Sequence, residues 1–182
     1  MSQQAITLAG VGGQGSILAG VIFGSAAVTY DHKYAVQTQA YSAELRGGFA
    51  AAWVIVSDRP VLFPRVIRPD ILVAQAQDAI DRFAGTLQPG GILIFDSDLI
   101  QTVPDGIQNA YGVAATSLAR NQIQDMIVTN MIMLGALCRL TEVVSRKALE
   151  TAIAEAVPKG KVDMNHQAFA LGFDTVKLFK PE

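Results

Sequence analysis

The chain has 182 residues, of which 51% are hydrophobic and 16% charged, and its formal net charge is −2. No block of basic residues could follow a phosphate backbone, so the sequence argues against nucleic-acid binding. No apolar run reaches the ~18 residues of a membrane span. The N-terminus, Met1-Ser2-Gln3-Gln4, lacks the basic start and apolar stretch of a secretory signal, so we expect a cytoplasmic protein.

The low charge content is unusual, because soluble domains carry roughly 25% charged residues. Two interpretations stay open. Either some apolar surface is buried against other subunits, or the chain is a compact α/β domain with hydrophobic central strands.

Cys138 is the one cysteine of the chain, which also has two histidines, His32 and His166. A cubane iron–sulfur cluster ordinarily needs four thiolates, and a structural zinc site needs several Cys or His ligands, so the sequence fits neither. Cys138 lies in an apolar stretch, 131–140, which predicts a buried structural thiol rather than a reactive one.

The N-terminal half predicts strands that alternate with helices. Residues 5–9 read as a short buried strand, six residues containing four glycines follow, and apolar residues at helical spacing predict a helix over 16–29. The continuous apolar run 49–56 predicts a strand buried on both faces. The other elements predicted here are strands at 33–38, 70–74, 92–95 and 113–115, a polar loop over 39–48 and a short helix at 78–84.

The C-terminal part is predicted to be helical. Residues 126–140 are apolar on nearly all sides, which indicates a buried helix. Ser145 is the expected N-cap of the next helix, which ends near Pro158, and 165–179 predict a final amphipathic helix. Taken together, we expect one Rossmann-like α/β domain over residues 1–182, with a mainly parallel sheet and helices on both faces.

The first candidate site is the glycine turn, whose candidate binding residues are Gly10, Gly12, Gly13, Gln14 and Gly15. It fits Gly-x-Gly-x-x-Gly, glycine lets a ligand approach the backbone, and the N–H groups of the following helix suit a phosphate or carboxylate. Dinucleotide folds also place an acid ~20 residues on, after the second strand, and Asp31 precedes that strand. Dinucleotide binding, simple strand–helix packing, and binding or shielding of an anionic cofactor held mainly by a neighbouring subunit all stay open.

The second candidate site is the loop Tyr41-Ser42-Ala43-Glu44-Leu45-Arg46-Gly47-Gly48. It places a hydroxyl, a carboxylate and a guanidinium at a strand end, where α/β folds put their sites. Arg46 offers a bidentate fork for a carboxylate or phosphate. The candidate residues are Ser42, Glu44, Arg46, Gly47 and Gly48. Alternatively, Glu44 and Arg46 pair with each other or with nearby backbone.

Two further polar residues receive structural interpretations. Asn130 lies in an otherwise apolar helix, so its amide must find partners, and a buried hydrogen bond is predicted. His166 is expected to cap the start of the last helix. No Ser/His/Asp or Cys/His arrangement and no carboxylate pair has persuasive spacing, and no metal site is predicted.

Together, these segments resemble the gamma-type subunit of 2-oxoacid:ferredoxin oxidoreductases, the pyruvate/ketoisovalerate oxidoreductase catalytic domain family. The likeness extends from about Ile6 to Val176. Beside the glycine turn and the loop ending in Arg-Gly-Gly, it rests on Ser57-Asp58-Arg59-Pro60, Pro69-Asp70-Ile71-Leu72-Val73, Asn130-Met131-Ile132-Met133-Leu134-Gly135-Ala136 and Asn165-His166-Gln167-Ala168-Phe169.

The resemblance implies oxidative decarboxylation of a 2-oxoacid, with coenzyme A accepting the acyl group and ferredoxin the electrons. We favour 2-oxoglutarate, then pyruvate or branched-chain 2-oxoacids. Such complexes use thiamin diphosphate and iron–sulfur clusters. This chain lacks the cluster cysteines and the family's thiamin signature, Gly-Asp-Gly followed at long spacing by Asn-Asn. We therefore expect it to hold no cofactor alone and to be inactive without alpha-, beta- and, in some complexes, delta-type subunits that carry them.

In such a complex, we expect the glycine turn and the 42–48 loop to face the shared active site or the subunit interface. They would help to close the site over cofactor, substrate or coenzyme A, and excluding water would protect the carbanion. An isolated chain could form a homo-oligomer through its natural interface. The alternatives are the small subunit of indolepyruvate:ferredoxin oxidoreductase, a self-sufficient NAD-binding Rossmann domain, and a non-catalytic nucleotide-binding or scaffold module.

Overall fold

A computed structural model describes residues 3–41 and 48–178. Within these ranges the strands are β1 (Gln3–Val11), β2 (Tyr34–Tyr41), β3 (Phe49–Ser57), β4 (Ile71–Ala74), β5 (Ile92–Asp96), β6 (Asn109–Val113) and β7 (Lys177–Leu178). The α-helices there are α1 (Ser16–Thr29), α2 (Gln77–Phe83), α3 (Ala115–Leu118), α4 (Thr129–Thr141), α5 (Arg146–Ala156) and α6 (Val162–Thr175).

The strands of the described ranges form one sheet in the order β2-β3-β1-β4-β5-β6-β7. Strands β1, β4, β5 and β6 are parallel, whereas the pairs β1–β3, β2–β3 and β6–β7 are antiparallel. The predicted α/β class with helices on both faces is confirmed, but the sheet is mixed rather than mainly parallel. The short connection between β2 and β3 explains one antiparallel pair, because parallel neighbours need a crossover of a dozen or more residues.

Two hydrophobic clusters lie on opposite faces of this sheet, because successive strand residues point to opposite sides. The larger one fills the space between the sheet and α1, α4, α5 and α6, and it includes Phe23, Leu134 and Phe169. The smaller one lies under α2, where Trp53 meets Phe83 edge to face with ring centroids 5.9 Å apart. The sheet is therefore covered thickly on one face and thinly on the other.

Helices α4 and α6 cross with their backbones in close contact. A β carbon at Gly135 would collide with the Phe169 carbonyl group, and one at Gly172 would collide with that of Ile132. Residues 129–138 are all buried, so the predicted buried helix is confirmed from Thr129 onward, whereas Met126–Val128 form a 3₁₀ turn in which Met126 and Ile127 are exposed. The two glycines let α4 lie deep between α6 and the sheet.

Most predicted elements are found, with some shifts at their ends. Helix α1 has the predicted bounds, and Ser145 caps α5 by accepting a hydrogen bond from the Ala148 N–H at 3.2 Å. The last predicted strand lies earlier, as β6, because the helix α3 already begins at Ala115. Helix α6 begins at Val162 rather than 165, and β7, two residues long, left no sequence pattern to predict.

No helix in the described ranges is both long and apolar enough to cross a membrane. The cytoplasmic location stays a prediction. The same holds for the extent of the domain over all of residues 1–182.

Candidate functional site

The glycine turn lies at the C-terminal end of β1 and leads directly into α1. Gly13 has φ +96° and Gly15 has φ +75°, which is the left-handed region that glycine adopts without steric cost. A β carbon at Gly15 would also press into the side chain of Asn130. The backbone of this turn therefore requires glycine at both positions.

A hydrogen-bond network ties the glycine turn to the end of β4. The Gln14 side chain accepts from the Val11 N–H at 2.8 Å and donates to the Gln75 carbonyl at 2.9 Å. Gln75, which is fully buried, donates back to the Gln14 carbonyl and accepts from the Ser16 hydroxyl at 3.0 Å. Gln14 thus holds the turn in shape. Gln75 was not among the predicted site residues, although a glutamine directly after an apolar strand was a signal.

Asn130, in the first turn of α4, packs against the same turn. Its amide nitrogen donates to the Gly15 carbonyl at 3.2 Å, which confirms the predicted buried hydrogen bond. Its side-chain oxygen is buried and has no hydrogen-bond partner within the described ranges. An unpaired buried acceptor costs about 1–3 kcal/mol, so this oxygen marks a point beside the turn where a donor would be favourable.

The second candidate segment meets the glycine turn at the C-terminal end of β1. The Gly12 N–H donates to the Gly48 carbonyl at 2.7 Å, so the structure brings these two predicted residues together. Tyr41, the last residue of β2, is exposed beside them. The remaining candidates lie outside the described residues, and their role stays a prediction. These are Ser42, Glu44, Arg46 and Gly47.

Asp31 does not face the glycine turn. It follows the C-terminus of α1, which at 14 residues is roughly 21 Å long. Its carboxylate accepts hydrogen bonds from the backbone N–H and the hydroxyl of Ser145, both at 2.7 Å. Asp31 therefore holds the start of α5, and β2 carries no acid that could take its place beside a ribose. This geometry counts against dinucleotide binding.

The prediction that His166 caps the last helix is wrong. Because α6 begins at Val162, His166 lies inside the helix, and its Nε2 is 2.8 Å from the carbonyl oxygen of Glu150. His166 thus links α6 to α5.

Asp96 is a buried carboxylate at the C-terminal end of β5. Strand β5 lies two strands from β1, so Asp96 is at the same end of the sheet as the glycine turn. Burial raises its pKa, while hydrogen bonds from the Thr116 hydroxyl at 2.6 Å and the Asp98 N–H at 3.1 Å oppose that rise. It fixes the turn from β5 toward α3. Asp96 was not among the predicted site residues, because its burial depends on the fold.

The residues of the chain do not fit an iron–sulfur cluster. Burial raises the pKa of the Cys138 thiol to about 11, and its Sγ lies 3.7 Å from the Val144 carbonyl oxygen. The predicted buried thiol is confirmed. No three His, Cys, Asp or Glu side chains of the described residues come together as a metal site.

Comparison with known proteins shows the family of the chain. Residues 5–175 match the family described as pyruvate ferredoxin/flavodoxin oxidoreductase. The chain belongs to this family. It is 47% identical over 174 residues to the 2-oxoglutarate synthase subunit KorC of Methanocaldococcus jannaschii, covering 94% of this chain and 93% of that one.

Two other members of the family show how such domains occur. The keto/oxoacid ferredoxin oxidoreductase gamma subunit of Geobacter sulfurreducens matches with a TM-score of 0.87 and 41% identity over 96% of each chain. The ketoisovalerate oxidoreductase subunit VorA of Methanothermobacter thermautotrophicus is 34% identical over 135 residues, which are 74% of this chain but 28% of VorA. The domain therefore occurs both as a separate chain and inside a longer one.

These comparisons confirm the predicted family and the prediction of an oxidoreductase subunit. Because the relatives are named as subunits, they also support the existence of partner chains. The types of those partners, the cofactors that they hold and homo-oligomer formation stay predictions.

Proposed function

We propose that this chain is the small, gamma-type subunit of a 2-oxoglutarate:ferredoxin oxidoreductase. The 47% identity to KorC over nearly the whole chain carries the choice of substrate. In the reaction, the bond between the carboxylate and the oxo carbon breaks and carbon dioxide leaves. The remaining acyl carbon is oxidised to a thioester with the coenzyme A sulfur, whose S–H bond breaks with release of the proton, and two electrons pass singly to ferredoxin, which is reduced.

The cofactors of this reaction are assigned to partner subunits. One buried cysteine cannot bind a cluster that needs four thiolates. The segment Pro104-Asp105-Gly106 with Asn109 does not match the thiamin diphosphate signature. When bound, thiamin diphosphate would stabilise the carbanion, and clusters would carry single electrons away. We assign these groups to alpha-, beta- and, in some complexes, delta-type subunits.

The part played by this chain is to complete and close the shared site. The contact between Gly12 and Gly48 puts the two candidate segments side by side, and Gln14 with Gln75 holds the turn rigid. N–H groups at the start of α1 suit an anionic group such as a phosphate or carboxylate. The Asn130 side-chain oxygen, which has no hydrogen-bond partner among the described residues, offers an acceptor for an N–H or O–H group of the same ligand. Closure by the 42–48 loop would exclude water from the carbanion.

The substrate is tested with the complex purified anaerobically through a tag on this chain. The eluate is assayed for coenzyme-A-dependent reduction of a viologen dye with 2-oxoglutarate, pyruvate, a branched-chain 2-oxoacid and indolepyruvate. We expect kcat/KM for 2-oxoglutarate to exceed the others by at least ~10-fold, about 1.4 kcal/mol of transition-state binding. Preference for another acid overturns the substrate, and a chain that elutes alone and binds a nicotinamide cofactor overturns the function.

The role of the 42–48 loop is tested by Arg46→Ala in the same complex. We expect turnover to fall by roughly 10- to 100-fold, because a bidentate charged contact at a closing site is lost. The matched control is Arg146→Ala, which removes an exposed guanidinium of α5 that pairs with Glu150 away from this edge. Unchanged turnover of the Arg46→Ala complex, or a variant chain that does not fold, would contradict the proposed role.

A further inference from the structure

The outward side of α1 is apolar, and no other part of the described chain covers it. None of the 14 residues of α1 is charged. Ile22 and Phe23 are buried against the sheet, while Leu18, Val21 and Val28 are each more than 40% exposed on the other side. A helix that is hydrophobic on all sides is normally buried on all sides. The outward side of α1 therefore has no cover among residues 3–41 and 48–178.

Strand β2 continues this uncharged surface along the edge of the sheet. Its eight residues include no charge and no proline, and within the described ranges no strand pairs with its outer edge. Natural proteins usually protect such an edge with charges, prolines or bulges. Val21, Ser25 and Val28 of α1 line a depression of about 320 Å³ together with Ala35 and Gln37 of β2. The helix side and the strand edge are thus one surface.

A third element borders the same surface. Residues 59–68, here called the arm, expose Leu62 to 94%, Phe63 to 57% and Ile67 to 73%. The arm reaches the surface at a second depression of about 320 Å³, which Pro60 shares with residues of α1 and β2. The arm also carries three arginines and no acid, namely Arg59, Arg65 and Arg68.

We propose that the outward side of α1, the edge of β2 and the arm form one docking surface for a larger subunit of the complex. The partner surface is apolar at its centre, where it meets α1 and β2, and carries carboxylates where it meets the arginines of the arm. This inference rests on the proposed function, because it needs a partner subunit.

The partner is a larger subunit rather than a second copy of this chain. In VorA the matched region is 28% of the chain. The similar domain there is therefore joined to a much longer polypeptide, which is the kind of partner proposed for this surface. The arm has arginines and no carboxylates to offer to the arm of a second copy. A second copy of this chain is the competing occupant. The sequence of β2 reads the same in both directions at its ends, because Tyr34 and Ala35 mirror Ala40 and Tyr41. Antiparallel self-pairing is therefore an outcome that the test must separate.

The first measurement uses a unique surface thiol. Ser25→Cys places a thiol on the outward side of α1, and the native Cys138 is buried. Thr86→Cys, on the thinly covered side of the sheet, is the control. Maleimide labelling rates are compared between the isolated variant chains and the complexes purified through this chain, and the turnover of each complex is measured separately. We expect labelling at position 25 to slow by at least ~10-fold in the complex, because interface cores are desolvated, while position 86 keeps its rate.

The second measurement places a charge on the surface. Val21→Glu is compared with Leu99→Glu, a residue exposed to a similar fraction but located after β5, four strands from β2. We expect Val21→Glu to reduce the amount of co-purified larger subunit by at least ~10-fold, since a carboxylate in a desolvated interface is costly. Leu99→Glu should retain the subunit, and both isolated chains should unfold at the same midpoint as the wild type.

Two results would overturn the proposal. One is equal labelling of position 25 in the isolated chain and in the complex, together with retention of the larger subunit by Val21→Glu. The other is slow labelling at position 25 in an isolated chain that sediments as a dimer, which would assign the surface to a second copy. If position 25 is protected in a complex that does not turn over a 2-oxoacid, the docking surface stands and the proposed function fails.

Discussion

Two regions of the molecule require glycine for different physical reasons, the turn after β1 and the crossing of α4 with α6. In the turn, Gly15 has a left-handed backbone and faces the side chain of Asn130. In the crossing, Gly135 and Gly172 are helical, and each faces a backbone carbonyl group of the other helix. A side chain can be shortened by mutation, whereas a carbonyl group cannot. A second mutation that shortens the neighbouring side chain should therefore recover part of the stability lost on substituting glycine in the turn. No such second mutation exists for the crossing.

The difference also separates function from stability. The turn lies at the end of the sheet where Tyr41 is exposed. Beside it, the Asn130 side-chain oxygen has no hydrogen-bond partner among the described residues. The crossing lies in the core, where Gly135, Phe169 and Gly172 are all buried. Changes in the crossing should unfold the chain, and changes in the turn should chiefly impair the assembled enzyme.

The largest expected effect is that of Gly172→Ala. The added β carbon would push α6 away from the Ile132 carbonyl, so we expect the free energy of unfolding to fall by about 3 kcal/mol or more. Denaturant unfolding of the isolated chain measures it. Gly160→Ala, where a β carbon meets open space, is the control and should change stability by less than ~0.5 kcal/mol. A Gly172→Ala chain as stable as this control would show that the crossing is loose.

The next effect is that of Gly15→Ala. We expect a loss of about 2 kcal/mol, because alanine is strained at a left-handed φ and its β carbon meets Asn130. In a double-mutant cycle, Asn130→Ala should recover about 1 kcal/mol of that loss. Turnover of the complex should fall by at least ~10-fold in each variant, because the closing turn is displaced. Strict additivity of the two stability changes would contradict the described contact.

A smaller effect concerns the buried carboxylate of Asp96. Because burial raises its folded pKa, the native state binds the proton more tightly than the unfolded chain, where the pKa is about 3.9. The stabilisation is fully present below that unfolded value and is lost as pH rises through the raised pKa. Asp96→Asn does not titrate, so its stability relative to the wild type should improve between pH 4 and pH 7, measured by denaturant midpoints. A constant or opposite difference would exclude a raised pKa.

The smallest expected effect is the alkylation of Cys138 in the folded chain. With burial and a pKa of about 11, only about one thiol in a thousand is ionised at pH 8. Mass spectrometry after iodoacetamide treatment should find the native chain unmodified and the denatured chain fully modified. Rapid labelling of the folded chain would mean that α4 opens to solvent.

The local elements could be predicted because they leave a pattern in the sequence. Helix α1 has helical spacing between a glycine turn and a polar stretch, and β3 is a continuous apolar run. Asn130 was identified because one amide stands out in an apolar helix. The antiparallel pairing of β3 was missed, although the short connection after β2 already excluded a parallel neighbour.

The remaining features depend on contacts between distant parts of the chain, which spacing alone does not reveal. Gln75 becomes a support of the glycine turn only because β4 lies beside β1. The need for glycine at 135 and 172 arises from the close approach of α4, which ends at Thr141, and α6, which begins at Val162, and not from backbone conformation. The unpaired Asn130 oxygen likewise requires the position of Gly15.

The most direct test of the central claim is reconstitution. The partner subunits are purified from cells that lack this chain, and viologen reduction with 2-oxoglutarate and coenzyme A is measured before and after the chain is added back. We expect neither component alone to turn over, and the mixture to recover activity with saturation at one stoichiometric ratio. Full activity of the partners without this chain, or activity of the isolated chain with a nicotinamide cofactor, would contradict the account.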